Sequence, residues 1–210
     1  MYKIVGIPGS RLVRVSWMLE ELGQAYVIVK AMPQTPAMNR FNPSGKGPVL
    51  VDTHSAEELM VIDSAAICTY LADRHPEANM SADPGTSQRA AIDSWLHFAQ
   101  CDFEAPLWLK AKHKFILPEA LRLDVGEITK FEFDNAVVAM DARLGDNEFA
   151  IGSRFTSADV LLGHAGNWAR NAKFGINSDR VNAYLDRVLA RPALAKAREN
   201  EARLTGGGNL

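Results

Sequence analysis

The chain has 210 residues, 47% apolar and 23% charged, with a net charge of −2. That length supports one large domain or two small ones with real cores, and the near-neutral balance gives no electrostatic case for nucleic acid or an anionic membrane. No apolar run approaches the roughly 20 residues a membrane helix needs, and the opening MYKIVGIPGSR lacks the charged-then-apolar order of a signal peptide, so the expected location is the cytoplasm.

In chain order, Tyr2 to Gly6 (YKIVG) reads as a short strand, rich in Ile and Val and followed by a Gly-Ile-Pro-Gly break. Gly9 or Ser10 then opens a helix with an apolar face of Leu12, Val15, Trp17, Met18, Leu19 and Leu22, and Gly23 ends it. Ala25 to Val29 is a second strand. Strand, helix and strand in so short a span form a βαβ unit with parallel strands. Ala31 to Phe41, with prolines at 33 and 36, is irregular with one helical turn. Pro48 to Asp52 is a third strand and Leu59 to Ile62 a fourth, joined by the polar turn Thr53 to Glu58 as an antiparallel hairpin. Asp63 to His75 is a helix stopped by Pro76.

The expected division is an α/β domain over 1–78, a linker over 79–85, an all-helical domain over 86–205 and a flexible tail over 206–210. Helical periodicity runs from Gln88 to about Phe115, from Glu119 to Leu144 with a break near Gly126, from Thr156 to Lys173, from Ser178 to Ala190 and from Pro192 to Leu204. No strand is expected between Ser87 and Arg203. Thr156 and Asp159 have the spacing of a capping box, with Phe155 and Val160 at the positions of a hydrophobic staple.

Four places could carry chemistry. Ser10 stands between a strand end and a helix N-terminus, where a hydroxyl is either a plain cap or a donor to a thiolate. Lys46, between Gly45 and Gly47, is either a solvated loop lysine or the partner of a carboxylate. Pro48 removes a ladder donor where a strand begins. An isolated X-Pro bond is trans far more often than cis, but a cis bond after Gly47 would resolve that conflict and leave backbone groups free to pair with an extended peptide. Asp63 and Ser64 open a helix: as a cap, or as a site where Ser64 and the first amides take a carboxylate and Asp63 an ammonium. The five histidines are scattered, and His97 with Cys101 lacks a third ligand, so no metal is expected. There is no GxGxxG or GxxxxGK[ST] nucleotide motif. Cys68 and Cys101, both in helical patterns, read as small buried apolar residues rather than a disulfide.

Taken together, GSRLVRVSWMLEELG (9–23), NPSGKGPVLV (42–51), IDSAAICTYLADRHP (62–76), WLHFAQCDFEAPL (95–107) and FTSADVLLG (155–163) resemble, in this order and spacing, a cytosolic glutathione S-transferase of the serine type, bacterial-like. The resemblance covers nearly the whole chain. It implies a thioredoxin-like βαβ-ββα N-terminal domain followed by a helical-bundle C-terminal domain. It implies that Ser10, four residues before Arg14, is the catalytic group that hydrogen-bonds the glutathione sulfur. Lys46 would meet the glycyl carboxylate, the backbone of Gly47 before cis Pro48 the cysteinyl moiety, and Asp63 and Ser64 the γ-glutamyl amine and carboxylate. Thr156 and Asp159 match the family's folding-related capping box and are not catalytic. A homodimer is implied, with Gln100 or Asp102 near the partner's glutathione.

The implied reaction joins the glutathione thiolate, as co-substrate and without a metal, to a small hydrophobic electrophile in a detoxification role. Leu12, Phe98, Phe103, Trp108 and Trp168 are candidates for the acceptor's apolar walls. The same site would serve an isomerase, a dehalogenase or a peroxidase, and the fold also suits a non-catalytic binding or regulatory protein. Three departures stand out. Gly47 replaces a common valine, Asp63 replaces a commoner Glu, and Ser10 is followed by Arg11 and Leu12, so that the nearest other hydroxyl is Ser16.

Overall fold

The computed structural model describes residues 1–54 and 58–206, with side chains to 203. These divide into two compact units, one made of 1–83 with the segment from 190 onward, the other of Pro84–Leu189. Of the polar turn expected over 53–58, residues 55–57 lie outside the described residues, as does the tail beyond Gly206.

The first unit holds a four-stranded sheet in the order β2-β1-β3-β4, with β1 (Tyr2–Gly6), β2 (Tyr26–Lys30), β3 (Val49–Asp52) and β4 (Leu59–Ile62). β1 and β2 are parallel, and α1 (Leu12–Glu21) makes the crossover that a parallel pair requires. β3 runs antiparallel to both β1 and β4. The single turn α2 (Pro36–Asn39) starts where the Thr35 hydroxyl accepts the Met38 amide. α3 (Ser64–Arg74) follows β4. This is the thioredoxin-like βαβ-ββα arrangement. The helical period of α1 buries Leu12, Val15, Trp17, Met18 and Leu19, and α3 contributes Ile67, Cys68 and Leu71 to the buried set.

The last helix, α9 (Pro192–Gly206), runs two residues past its expected end and groups with the sheet unit rather than with the helical domain. It packs on α1 through the buried stripe Leu194, Ala197 and Glu201. Just before it, the Arg191 guanidinium forks onto the Glu21 carboxylate at 2.6 and 2.7 Å. Within the helix, Asn200 Nδ2 donates to Glu20 Oε1 at 2.7 Å. These partners are far apart in sequence, which is why helical periodicity alone assigned α9 to its neighbours.

The second unit contains α4 (Ser87–Phe98), α5 (Ala105–Ala111), α6 (Gly126–Leu144), α7 (Ser157–Asn171) and α8 (Asp179–Leu189). The long helix expected to Phe115 is interrupted by wide π-helical turns at Ala99–Phe103 and Lys112–Ile116. Pro106 explains the first, because it cannot donate to the carbonyl of residue 102. Gly126 begins α6, so the expected break there becomes a helix start preceded by a 3₁₀ turn at Glu119–Leu121. An aromatic ladder forms this unit's core: Phe98 on Phe103 at 6.5 Å, Phe103 on Phe133 at 5.2 Å and Phe133 against Phe174 at 5.1 Å. Among the described residues, no helix is long and apolar enough to cross a membrane.

Candidate glutathione site

Sheet register decides what can meet. Val5 pairs with Val49, and Val49 pairs with Ile62. The C-terminal end of β1, the N-terminal end of β3 and the C-terminal end of β4 therefore lie side by side. The segments that continue from them are Gly6–Ser10, Gly47–Pro48 and Asp63–Ser64, three of the four places singled out in the sequence.

The contact between the first two segments is close. A Cβ on Gly47 would stand 3.4 Å from the Gly6 Cα, 3.4 Å from the Val5 carbonyl oxygen and 3.1 Å from the Met38 methyl. This crowding gives a local reason for glycine at the position where valine is common, since a side chain here must displace Met38. The Gly47–Pro48 peptide bond is cis. The preceding loop is tied by Asn42, whose Nδ2 donates to the Lys46 carbonyl at 2.7 Å and whose Oδ1 accepts the Ser44 amide at 3.0 Å. Gly45 closes it at φ 69°, a left-handed conformation that suits glycine. Lys46 itself is exposed, and among the described residues its ammonium has no carboxylate partner.

Ser10 is exposed in the turn before α1. Its hydroxyl donates to the Ile7 carbonyl at 2.6 Å, and the Leu12 amide donates to its oxygen at 3.3 Å. The helix proper starts one residue later than expected, with Arg11 at the cap position. Behind this turn lies a group that sequence reasoning missed. Glu201 of α9 accepts the Gly9 amide at 2.6 Å and the Ser16 hydroxyl at 2.6 Å. Burial pushes its carboxyl above the usual range, opposed by these two donors and by the charge of Arg198. The only sequence signal was an acid falling on the same helical stripe as Leu194 and Ala197.

Asp63 sits at φ 71° and caps α3, its Oδ1 accepting the Ala65 and Ala66 amides at 2.9 and 3.3 Å. Ser64 is buried, and its Oγ accepts from Arg14 Nη1 at 3.0 Å. The Arg14 guanidinium is itself buried, and that burial, with the charge of Arg11, lowers it to about 9, against the pull of Cys68 and Asp63. A hydroxyl that accepts from a guanidinium still has its own hydrogen to give. Among the described residues that hydrogen has no acceptor.

The acceptor-wall candidates separate by burial. Leu12 is fully buried, with its Cδ1 against Gly6, and Phe98 and Phe103 belong to the aromatic core of the second unit. These three show little exposed surface, as the inner face of a helix ordinarily does. Trp108 and Trp168 are half-buried, and Trp168 lines an open pocket within the second unit. Cys68 is buried as expected, whereas Cys101 is exposed on a π-helical turn, and both are free thiols. Among the described residues no cluster of three or more His, Cys, Asp or Glu could hold a metal ion.

Comparison with known proteins bears on this geometry. The family model of the glutathione S-transferase N-terminal domain matches residues 5–79. The chain is 26% identical over 168 residues to glutathione S-transferase GST-4.5 of Xanthomonas campestris, covering 78% of this chain and 79% of that one. It is 27% identical to glutathione S-transferase tcpG of Claviceps purpurea, with 89% and 83% covered. Among solved structures, a glutathione transferase family member from Pseudomonas fluorescens with two glutathione molecules bound superposes with a TM-score of 0.80 at 25% identity, covering 94% of this chain and 92% of that one.

Proposed function

We propose that the chain is a glutathione transferase that joins the thiolate of glutathione to a small hydrophobic electrophile, a reading supported by the family-model match over residues 5–79 and by its likeness to glutathione S-transferases. The observation that carries the reading is the sheet register, which gathers Gly6–Ser10, Gly47–Pro48 and Asp63–Ser64 at one edge. Each group then has a role suited to its surroundings. The Gly47 backbone pairs with the extended cysteinyl moiety. Ser64 gives its unused hydrogen to the γ-glutamyl carboxylate, with the Arg14 charge behind it, and Asp63 faces the amine. Lys46, with no carboxylate partner of its own, meets the glycyl carboxylate. Ser10 turns its hydroxyl from Ile7 to the sulfur, where a donor beside the α1 N-terminus lowers a thiol from its free value of about 8.5.

Calorimetric titration with glutathione tests this directly. The native chain should bind with one site per chain. Lys46→Ala should weaken binding about tenfold, the worth of one charge-assisted hydrogen bond. Absence of saturable heat with the native chain would end the proposal.

One observation favours a second reading, a glutathione-binding protein without conjugating activity: the Ser10 hydroxyl is already committed to Ile7 at 2.6 Å. Binding without turnover of any electrophile in a broad panel would select it. Isomerase, dehalogenase and peroxidase activities use the same bound thiolate, and that panel separates them by product.

We also propose a homodimer. Leu59, Met60 and Ile62 of β4 are exposed, as are Ile128, Phe131 and Val138, which fall on one stripe of α6. Light scattering should give twice the chain mass of 23.0 kDa. A single-chain mass at micromolar concentration would contradict it.

A further inference from the structure

Glu201 is 3% exposed, on the stripe of α9 that packs against α1. A buried carboxylate is costly unless donors satisfy it. Its two oxygens are satisfied at separate points: Oε2 accepts the Gly9 amide at 2.6 Å, before α1, and Oε1 accepts the Ser16 hydroxyl at 2.6 Å, on the helix itself. One side chain thus ties the turn that carries Ser10 to the helix that follows it. α9 is also held next to Glu201 by other bonds. The preceding residue, Asn200, donates to Glu20 Oε1 at 2.7 Å, and Lys196 Nζ lies 2.6 Å from Glu20 Oε2. The anchor therefore does not depend on the bonds it makes to the turn.

Among the described residues the Gly9 amide has one acceptor, and it is Glu201. The Ile7 carbonyl also holds the turn, taking the Ser10 amide at 3.2 Å and the Ser10 hydroxyl at 2.6 Å. When the hydroxyl turns to a thiolate, the second of these bonds is lost. The turn then rests on the backbone bonds of Ser10 and on the Gly9 bond to Glu201. Gly9 stands at φ 77°, a position where glycine moves more freely than other residues, so a tether there has the most to restrain.

We propose that Glu201 is a positioning residue for thiol activation: from α9 it holds the Gly9–Ser10 turn in place while the Ser10 hydroxyl leaves Ile7 for the glutathione sulfur. This role rests on the transferase reading above and gives the last helix a part in it.

The test follows the ultraviolet absorbance of the thiolate of bound glutathione against pH, using the full chain as native protein, Glu201→Leu, Glu201→Gln, Ser10→Ala and the double variant Ser10→Ala/Glu201→Leu. Removing a nearby negative charge would by itself favour the thiolate and lower the thiol. Loss of positioning acts the other way. Glu201→Leu should therefore raise the bound thiol by about one unit, a tenfold loss of thiolate at a given pH, while glutathione affinity holds. Glutamine keeps an acceptor for the Gly9 amide and can donate to the Ser16 oxygen, so Glu201→Gln should titrate at or below the native value. On the Ser10→Ala background, Glu201→Leu should raise the thiol no further, because its effect passes through the hydroxyl. A Glu201→Leu complex that titrates at or below the native one, a Glu201→Gln complex that titrates above it, or a further rise on the Ser10→Ala background would overturn the positioning role and leave the transferase reading standing. A native chain that binds no glutathione, or leaves its thiol at the free value, would overturn both.

Discussion

Asp159→Ala should destabilise the protein by roughly 3–5 kcal/mol, the largest loss expected from any single side chain discussed above. The carboxylate is fully buried at the start of α7. It accepts the Thr156 amide at 2.8 Å, which with the Thr156 side chain accepting the Asp159 amide makes the capping box, and it also accepts the Thr156 hydroxyl at 3.1 Å. It also accepts the Ala150 amide at 2.8 Å and the Tyr184 hydroxyl at 2.8 Å. Burial pushes this carboxyl upward, and the four donors oppose that push. An ordinary cap is worth about 1 kcal/mol. The excess arises because truncation strands buried donors on the loop before α7 and on α8 as well, each costing about 1–3 kcal/mol and not adding fully. Urea unfolding of Asp159→Ala beside Thr156→Ala separates the two contributions. The threonine variant should lose only about 1 kcal/mol. Equal losses would mean that the carboxylate does no more than cap.

Ser10→Ala should lower kcat/KM for conjugation of an aryl halide by roughly 10- to 100-fold, the worth of a hydrogen bond to a charged sulfur. The fall should appear in kcat more than in KM for glutathione, since the proposed contacts to the peptide ends come from Lys46, Asp63 and Ser64. Stability should change little, because Ser10 is exposed and its amide and carbonyl remain in the turn. A second hydroxyl does not replace it: Ser16 is buried and bonded to Glu201.

Much of this was legible in the sequence, because local signals encode local structure. Short apolar runs broken by glycine and proline located all four strands to within a residue at either end. The capping box at Thr156 and Asp159 was readable for the same reason, whereas the cis bond before Pro48 followed only from the family resemblance, since an isolated X-Pro bond is ordinarily trans. What could not be read were partners chosen by the tertiary fold. The Arg14 bond to Ser64 spans 50 residues, and the Glu201 bond to Gly9 spans 192. Nothing in either local stretch names the other. The same limit holds for α9, which groups with the sheet unit, and for Leu12, Phe98 and Phe103, which are buried: periodicity finds an apolar face but not what covers it. Tyr184 illustrates the limit at Asp159, where the sequence supplied one cap and the fold made a four-donor node.

The most direct test of the central claim is a pH titration of bound glutathione, followed by the ultraviolet absorbance of its thiolate, in the native chain and in Ser10→Ala. The native complex should titrate below the free-thiol value of about 8.5. Ser10→Ala should still bind glutathione and should titrate about one to two units higher than the native complex, each unit being about 1.4 kcal/mol of lost thiolate stabilisation. A native complex that titrates like free glutathione, or a Ser10→Ala complex that titrates like the native one, would contradict the assignment of Ser10 as the thiol-activating group.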